Sequence, residues 1–290
     1  MSSVAEVIDT PEKSSPPLGL WLRQIGAIMR LELGKNFFSR RSILIYLIAI
    51  LPLLPLMVLA LVAPDDSDFN FNNLGKVYAV LYHGLILRTV IFFGCAWIFM
   101  NLFRGELVDR SLHYYFLSAV KREVLVVGKY LSGLVTSILL FTATTVIAML
   151  LLYFPHFYSQ SLRYFTEGRG LGQLFAYAGI TMLACLGYGA FFLVVGLFIR
   201  NPIIPALLLY GWEWLNFLLP PLLKKISVIH YLNSMMPVPI SAAISEGPLA
   251  VVAEPTPAWI SIPSMLLVTL VVLIIAAYRT RHMEIRYGSD

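Results

Sequence analysis

The sequence predicts an all-α polytopic membrane protein with six transmembrane helices, an N-terminal interfacial amphipathic helix and both termini in the cytoplasm. Composition is the first reason: 59% of the 290 residues are hydrophobic and only 13% are charged, against about 25% charged in a typical soluble domain. The second reason is a series of long apolar runs, and the third is an uneven distribution of Lys and Arg. Lipid must therefore cover most of the surface, which excludes a soluble enzyme.

Two segments precede the first apolar run. Residues 1–17 are rich in Ser, Pro and acidic side chains, and we expect a disordered tail. Residues 18–41 have apolar side chains, among them Leu22, on one helical face and Arg23 and Arg30 on the opposite face, with Lys35 on its flank. This pattern predicts a helix lying in the membrane interface, followed by a basic elbow. A cytoplasmic extension of the first span is the alternative.

The predicted membrane domain covers residues 42–279, and residues 280–290 form a cytoplasmic tail. Each of its six apolar runs reaches the roughly 20 residues that cross a hydrocarbon core of about 30 Å. The runs are 43–63, 77–103, 127–154, 173–199, 202–222 and 258–278. We expect Pro52 and Pro55 to kink the first of them.

The distribution of basic residues orients the chain. With the N-terminus inside, the basic residues on the outer side are Lys76, Arg163, Arg169, Lys224 and Lys225. Arg88 lies within an apolar run, so fifteen of the 21 Lys and Arg residues remain on the inner side. This bias predicts cytoplasmic termini in a cell (inner or plasma) membrane. The basic residues flank apolar runs, so the net charge of +5 favours contact with an anionic leaflet over nucleic-acid binding.

The outer segment 223–257 is apolar but repeatedly interrupted by Pro and Gly. Residues 227–236 and 240–245 are predicted to form short helices that re-enter the outer leaflet, where irregular backbone requires cover by protein. An ordinary extracellular loop is the alternative interpretation of this stretch.

The segment 104–126, between the second and third apolar runs, has the most specific sequence. Ser111 or Asp109 can cap a short amphipathic helix. That helix would expose three polar side chains, Arg110, His113 and Tyr114. Lys121-Arg122 would mark the return of the chain to the membrane. A short helix across the cytoplasmic face suits docking into a groove of a soluble partner.

This segment resembles the corresponding loop of ABC-2 type ABC transporter permeases. In that family a glutamate is followed by a short helix, a Leu-Ser-x-Pro-x-Ser/Lys-Arg turn, and a Gly-Lys pair that leads into the third span. The matching residues are Glu106, Asp109-Arg110-Ser111-Leu112, Leu117-Ser118-Ala119-Val120-Lys121-Arg122 and Gly128-Lys129. Ala119 stands where the family has proline. The span count, the N-terminal helix and the re-entrant stretch extend the resemblance to nearly the whole chain.

The resemblance implies a permease subunit, an exporter, that works as a homodimer with a separate ATPase subunit in trans, to which ATP and Mg bind. The coupling residues would be Glu106, Asp109, Arg110, Ser111, His113, Tyr114, Lys121 and Arg122. The sequence contains no G-x-x-x-x-G-K-[ST] motif, so we expect ATP hydrolysis in the partner, with no catalysis and no cofactor on this chain. The alternative is a membrane scaffold or mechanotransmitting assembly factor that is coupled to a cytoplasmic ATPase without moving a substrate.

Two charges interrupt the apolar runs, Arg88 in the second and Glu213 in the fifth. Each lies eleven residues into its run, about 16 Å deep at about 1.5 Å per residue. A charge at that depth costs roughly 2.5–3.5 kcal/mol, so we expect both to line or brace a central pathway and hypothesise that they pair. Snorkelling of Arg88, or a hydrogen-bonded neutral Glu213, is the alternative. His83 is a weaker candidate for polar lining.

Other chemistry-bearing residues give weaker signals. An aromatic cluster in the fifth run is a candidate surface for a lipid-like substrate, although helix packing and lipid contact explain it equally well. Its members are Tyr210, Trp212, Trp214 and Phe217. Cys95 and Cys185 lie in apolar runs and are interpreted as core residues. No catalytic or metal-ligating constellation is recognisable in the sequence.

Overall fold

The computed structural model describes residues 18–40, 42–62, 71–108, 120–153, 158–199, 201, 203–224, 227–238 and 256–281. In these ranges nearly every residue is helical and none is in a strand. The predicted all-α class is therefore confirmed for the described part of the chain.

The described part of the N-terminal half contains one peripheral helix and two long helical segments. Helix α1 spans Leu18–Phe38. Helices α2, Ser42–Ile50, and α3, Leu53–Val62, follow each other with a break at Leu51 and Pro52. Because proline lacks an N–H and clashes with the preceding turn, the break falls where the sequence predicts a kink. Helix α4, Phe71–Leu81, runs through a π-helix, Tyr82–Ile91, into α5, Phe92–Val108.

Among its described residues, the C-terminal half contains three long helices separated by short ones. The long helices are α6, Arg122–Tyr153; α8, Gly170–Phe198; and α12, Ala258–Arg281. The shorter ones are α7, Tyr158–Thr166; α9, Ile203–Leu215; α10, Pro221–Lys224; and α11, Val228–Ser234. A 3₁₀ turn, Asn216–Leu218, follows α9.

Five helical segments of the described chain are long and apolar enough to cross a membrane. They are Ser42–Leu61, Asn73–Glu106, Arg122–Tyr153, Gly170–Phe198 and Ala258–Arg281. The chain is therefore a membrane protein by the length and composition of its helices. Five of the six predicted spans correspond to these segments.

The predicted fifth span, residues 202–222, is not a single long helix. Helix α9 has 13 residues, about 20 Å at 1.5 Å per residue, which falls short of a hydrocarbon core of about 30 Å. The 3₁₀ turn ends the helix, and Pro220 and Pro221 follow. Hydropathy averages over such a run and cannot detect where the backbone turns.

The core lies where the second span meets α8. Within Asn73–Glu106, 72% of the most apolar window is buried, against 22% for α12, so the second span is central and α12 is peripheral. A Cβ on Gly189 of α8 would collide with the ring of Phe99, and one on Gly196 would lie 2.9 Å from the Cα atom of Met100. These glycines let α5 and α8 approach closely, as small residues do between membrane helices. Helices α6 and α12 pack against α8 as well.

Helix α1 lies against α6. Its contact face includes Ile28 and Glu32, both buried, whereas Leu22 on the predicted apolar face is 69% exposed. The packed face is thus narrower than the predicted apolar face, and it contains an acidic residue. Glu32 forms ion pairs with Lys35 and Lys129.

Candidate functional site

The predicted coupling segment is only partly described by the structure. Asp109, Arg110, Ser111, His113 and Tyr114 lie outside the described residues. The two flanks are described: α5 contains Glu106, and the chain continues from Val120 through Lys121 and Arg122 into α6.

The flank residue Glu106 belongs to a buried cluster of four charged side chains. Two carboxylates, from Glu32 and Glu106, alternate with two ammonium groups, from Lys35 and Lys129. These residues come from α1, α5 and α6, and their opposite charges balance. We call these four residues the charge cluster.

Lys129 is the centre of the charge cluster. Its Nζ atom lies 2.8 Å from Oε1 of Glu106 and donates to Oε1 of Glu32 at 2.9 Å and to the Leu102 carbonyl oxygen at 2.9 Å. The side chain is 0% exposed. An ammonium group without water is tolerated only when paired and hydrogen-bonded, and the cluster meets both conditions.

Lys35 closes the cluster on its outer side. Its Nζ atom lies 3.0 Å from Glu106 and 3.3 Å from Glu32, and 46% of its side chain is exposed. Burial acts to raise the pKa of Glu32, but the ammonium groups of Lys129 and Lys35 outweigh it and hold that pKa below its ordinary value. Glu32 is therefore ionised at neutral pH.

A glycine allows the cluster to assemble. A Cβ on Gly128 would lie 3.0 Å from Cβ and Cγ2 of Ile28, so only a residue without a side chain lets α1 approach this closely. Asn36 continues the contact by donating to the hydroxyl oxygens of Ser132 at 3.4 Å and Thr136 at 3.3 Å. Together these contacts attach the second half of α1 to α6.

The C-terminal flank of the coupling segment contacts α1 and α12. Nζ of Lys121 lies 4.7 Å from the ring centroid of Trp21 in α1, a cation–π geometry. Arg122 donates to the carbonyl oxygens of Thr280 at 3.3 Å and Arg281 at 3.0 Å. An arginine at a helix C-terminus satisfies carbonyl groups that have no partner within the helix. Arg122 thereby joins the start of α6 to the end of α12.

Glu32 was not predicted as a site residue, although its position in the sequence is unusual. Glu32 is the only acidic residue in the 21 residues of α1, and it follows Ile25 by seven positions and Ile28 by four. That spacing places a carboxylate on the apolar face of the helix. Lys129 was noted only as part of the Gly-Lys pair, and Lys35 only as a residue on the flank of the polar face.

The intramembrane charges Glu213 and Arg88 are both buried, and the hydrogen bonds of Glu213 come from other residues. Oε2 of Glu213 accepts from the Ser227 hydroxyl at 2.6 Å and from the Ile229 N–H at 3.2 Å, and Oε1 accepts from the Val228 N–H at 3.2 Å. Glu213 thus binds the N-terminus of α11, a favourable place for a carboxylate. No ion pair among the described residues joins Glu213 directly to Arg88, but the charge of Arg88 acts on Glu213 over a longer distance.

Arg88 and His83 lie in the π-helix of the second span, and both are buried. The guanidinium carbon of Arg88 lies 5.6 Å from the ring centroid of Trp214, within cation–π range. A π-helix is rare and often marks a functional position. The role of both side chains in lining a pathway stays a prediction.

The described residues of the predicted aromatic cluster have different surroundings. Tyr210 packs against Phe93, with 4.7 Å between ring centroids. Trp214 is 46% exposed. Trp212 lines a cavity of about 380 Å³ beside Glu213. The side chain of Phe217 lies outside the described residues.

The described residues contain no group of three or more His, Cys, Asp or Glu side chains placed to hold a metal ion. The charge cluster joins α1, α5 and α6 by its ion pairs. Comparison of the chain with protein-family models, with curated proteins and with solved structures gives no match.

Proposed function

We propose that this chain is the transmembrane permease subunit of an ABC-2 type ABC transporter, an exporter that works as a homodimer with a separate ATPase subunit. In this proposal both termini are cytoplasmic, and the protein is a multi-pass protein of the cell (inner or plasma) membrane. The partner binds ATP and Mg and hydrolyses the ATP. The chain supplies the passage for the substrate and the contact that receives force.

The observation that carries the proposal is the charge cluster at both flanks of the predicted coupling segment. Glu106 lies near the start of segment 104–126, Lys129 lies three residues after its end, and their charged atoms are 2.8 Å apart. Both residues are among the positions that resemble the ABC-2 loop. The two ends of the 24-residue stretch from Glu106 to Lys129 are thus joined at its base, and Glu32 joins them to α1.

A segment anchored in this way can transmit force. Removing one partner from a buried ion pair costs roughly 3–5 kcal/mol, so the charge cluster resists separation of α1, α5 and α6. When the ATPase subunits close, a push on residues 109–119 would move these three helices together instead of bending the loop. Arg122 would pass part of the same displacement to α12. Such movement would alternate access to a path between the two protomers.

The test is to purify the tagged full-length chain from its own membranes in mild detergent and to identify co-purifying proteins by mass spectrometry. ATPase activity of the complex is measured in parallel. We expect a stoichiometric ATP-binding subunit with the wild-type chain. The triple variant Arg110→Ala, His113→Ala, Tyr114→Ala should reduce the bound ATPase at least about tenfold, the effect of losing 1.4 kcal/mol of binding free energy.

A matched triple variant controls for a general effect of losing surface charge. Arg163→Ala, Glu167→Ala and Arg169→Ala remove three exposed side chains around the start of α8, on the predicted outer side, and should leave ATPase binding unchanged. A wild-type chain that purifies without any nucleotide-binding protein would contradict the proposal. Equal loss in both triple variants would show that residues 110–114 have no specific part in binding.

A further inference from the structure

A polar cavity of about 560 Å³ lies beside the charge cluster. It is formed by the second half of α1, the start of α2 and the last turns of the second span. Its polar lining includes Glu32, Lys35, Asn36, Arg40, Asn101 and Glu106. Since the first span begins and the second span ends here, the cavity is at a boundary between apolar and polar surroundings. Its volume is in the range of ordinary ligand sites.

One carboxylate oxygen in the inner wall of the cavity has no hydrogen-bond donor among the described residues. Oε2 of Glu106 is buried and has no hydrogen-bond partner among the described residues, while Oε1 faces both ammonium groups of the cluster. The side chain of Glu106 is only 8% exposed. A buried acceptor without a partner costs free energy, and a carboxylate oxygen costs more than a neutral one. A ligand with an N–H group would supply the missing donor.

The rim of the cavity carries positively charged side chains. Arg40 is exposed, and Lys35 is 46% exposed on its side chain. Both line the same cavity as Glu106. Exposed Arg and Lys side chains bind phosphate groups well. The cavity therefore offers a buried acceptor inside and cations outside, which suits a ligand with an ammonium group and a phosphate.

A second cavity continues from the first and is almost entirely apolar. It measures about 380 Å³ and shares Trp97 with the polar cavity. Its lining includes Leu44 and Leu51 of the first span and, in the second span, residues from Met100 back to Thr89. The twelve positions from Thr89 to Met100 extend toward the membrane interior over on the order of 15 Å. Such a groove is the right environment for an acyl chain.

From this combination we infer a phospholipid site in which a headgroup with a primary ammonium occupies the polar cavity and an acyl chain occupies the apolar one. The ammonium donates to Glu106, and the phosphate lies at Lys35 and Arg40. A phosphatidylethanolamine has all three features, whereas a phosphatidylcholine has no N–H to donate. The inference does not rest on the proposed transport function. It assigns a lipid that contacts the charge cluster directly.

The test compares lipids that differ only in the headgroup. The purified full-length chain, stripped of lipid in detergent, is titrated with dioleoyl phosphatidylethanolamine, phosphatidylcholine or phosphatidylglycerol and examined by native mass spectrometry. We expect one high-affinity phosphatidylethanolamine per chain, bound about tenfold or more tightly than phosphatidylcholine, the value of one charge-assisted hydrogen bond. Equal affinities, or tighter binding of phosphatidylglycerol, would overturn the inference.

Variants locate the site. Arg40→Ala removes an exposed rim cation and should weaken phosphatidylethanolamine binding several-fold. Arg30→Ala, which removes an exposed arginine of α1 that lines neither cavity, should not. Glu106→Gln should bring the affinities for phosphatidylethanolamine and phosphatidylcholine together. If that variant unfolds, the comparison of lipids on the wild-type chain and the two arginine variants still test whether the lipid occupies this site. Unchanged binding in Arg40→Ala would place the lipid elsewhere.

Discussion

The chain buries carboxylates in two places and stabilises them in different ways. Glu32 and Glu106 are paired with ammonium groups from helices that are distant in sequence, since Lys129 follows Glu32 by 97 positions. Glu213 is instead bound by a hydroxyl and two backbone N–H groups from residues 14 to 16 positions later. The first arrangement ties three helices together. The second fixes only a local turn, so only the first can carry a displacement across the domain.

The comparison predicts that Lys129→Met has the largest effect on stability. The substitution leaves two carboxylates in the cluster with only the partly exposed Lys35, and breaking a buried pair from one side costs roughly 3–5 kcal/mol. We expect a large loss of thermal stability in detergent, measured by the unfolding temperature. Lys35→Met is the matched control and should cost only about 0–1 kcal/mol, as for an exposed pair. Equal losses in the two variants would mean that the cluster is not organised around Lys129.

Charge reversal distinguishes the two regions more directly. Glu32→Lys and Lys129→Glu should each be severely destabilised, and the double variant should recover part of the loss because the opposite charges are restored. Arg88→Glu with Glu213→Arg should show no recovery, since Glu213 binds N–H and O–H donors that an arginine cannot satisfy. Thermal unfolding of both sets of single and double variants gives the coupling energies. Recovery in the Arg88 and Glu213 pair would show that these two charges stabilise each other as a direct pair.

Glu213→Ala should have the next largest effect, about 2–3 kcal/mol, because one buried hydroxyl and two N–H groups lose their acceptor. Ser227→Ala removes only one of the three donors and should cost about 1 kcal/mol. Unfolding temperatures of both variants test this order. Loss of stability should be accompanied by easier proteolysis near α11, whereas Lys129→Met should affect the whole domain. A variant of Glu213 as stable as wild type would show that α11 does not depend on this contact.

The sequence predicts the long helices because their signal is local. The run 258–278 begins at the observed start of α12, and 173–199 lies within one to three residues of α8 at each end. The short fifth helix is missed because its end depends on proline residues and on a tertiary contact of Glu213, whereas hydropathy registers composition alone. The pairing of Glu32 with Lys129 is missed for a related reason. The neighbouring residues in sequence mark each of the two as a charge among apolar side chains, but they do not show which two helices come into contact.

Gly128→Ala should give a smaller loss than the charge variants. The added Cβ would lie 3.0 Å from Cβ and Cγ2 of Ile28, so α1 must shift slightly, at a cost typical of overpacking, about 1–3 kcal/mol. A double-mutant cycle with Ile28→Ala measures the contact, and the double variant should be more stable than the sum of the two single losses predicts. Gly172→Ala, where nothing lies within 4 Å of the new Cβ, is the control. Strict additivity would show that the clash does not control the position of α1.

The smallest predicted effect is a dependence of stability on pH that comes from Glu32. Its pKa is lowered from 4.5 in the folded protein, so folding favours the ionised form. That contribution is fully present above the unfolded-state pKa of about 4.3 and is lost as the pH falls through the lower folded-state value. The unfolding temperature of wild type should therefore fall more steeply below about pH 4.5 than that of Glu32→Gln, which has no carboxylate to protonate. Parallel curves would mean that the ammonium groups do not stabilise the charge on Glu32, and the charge cluster would then hold α1 by packing alone.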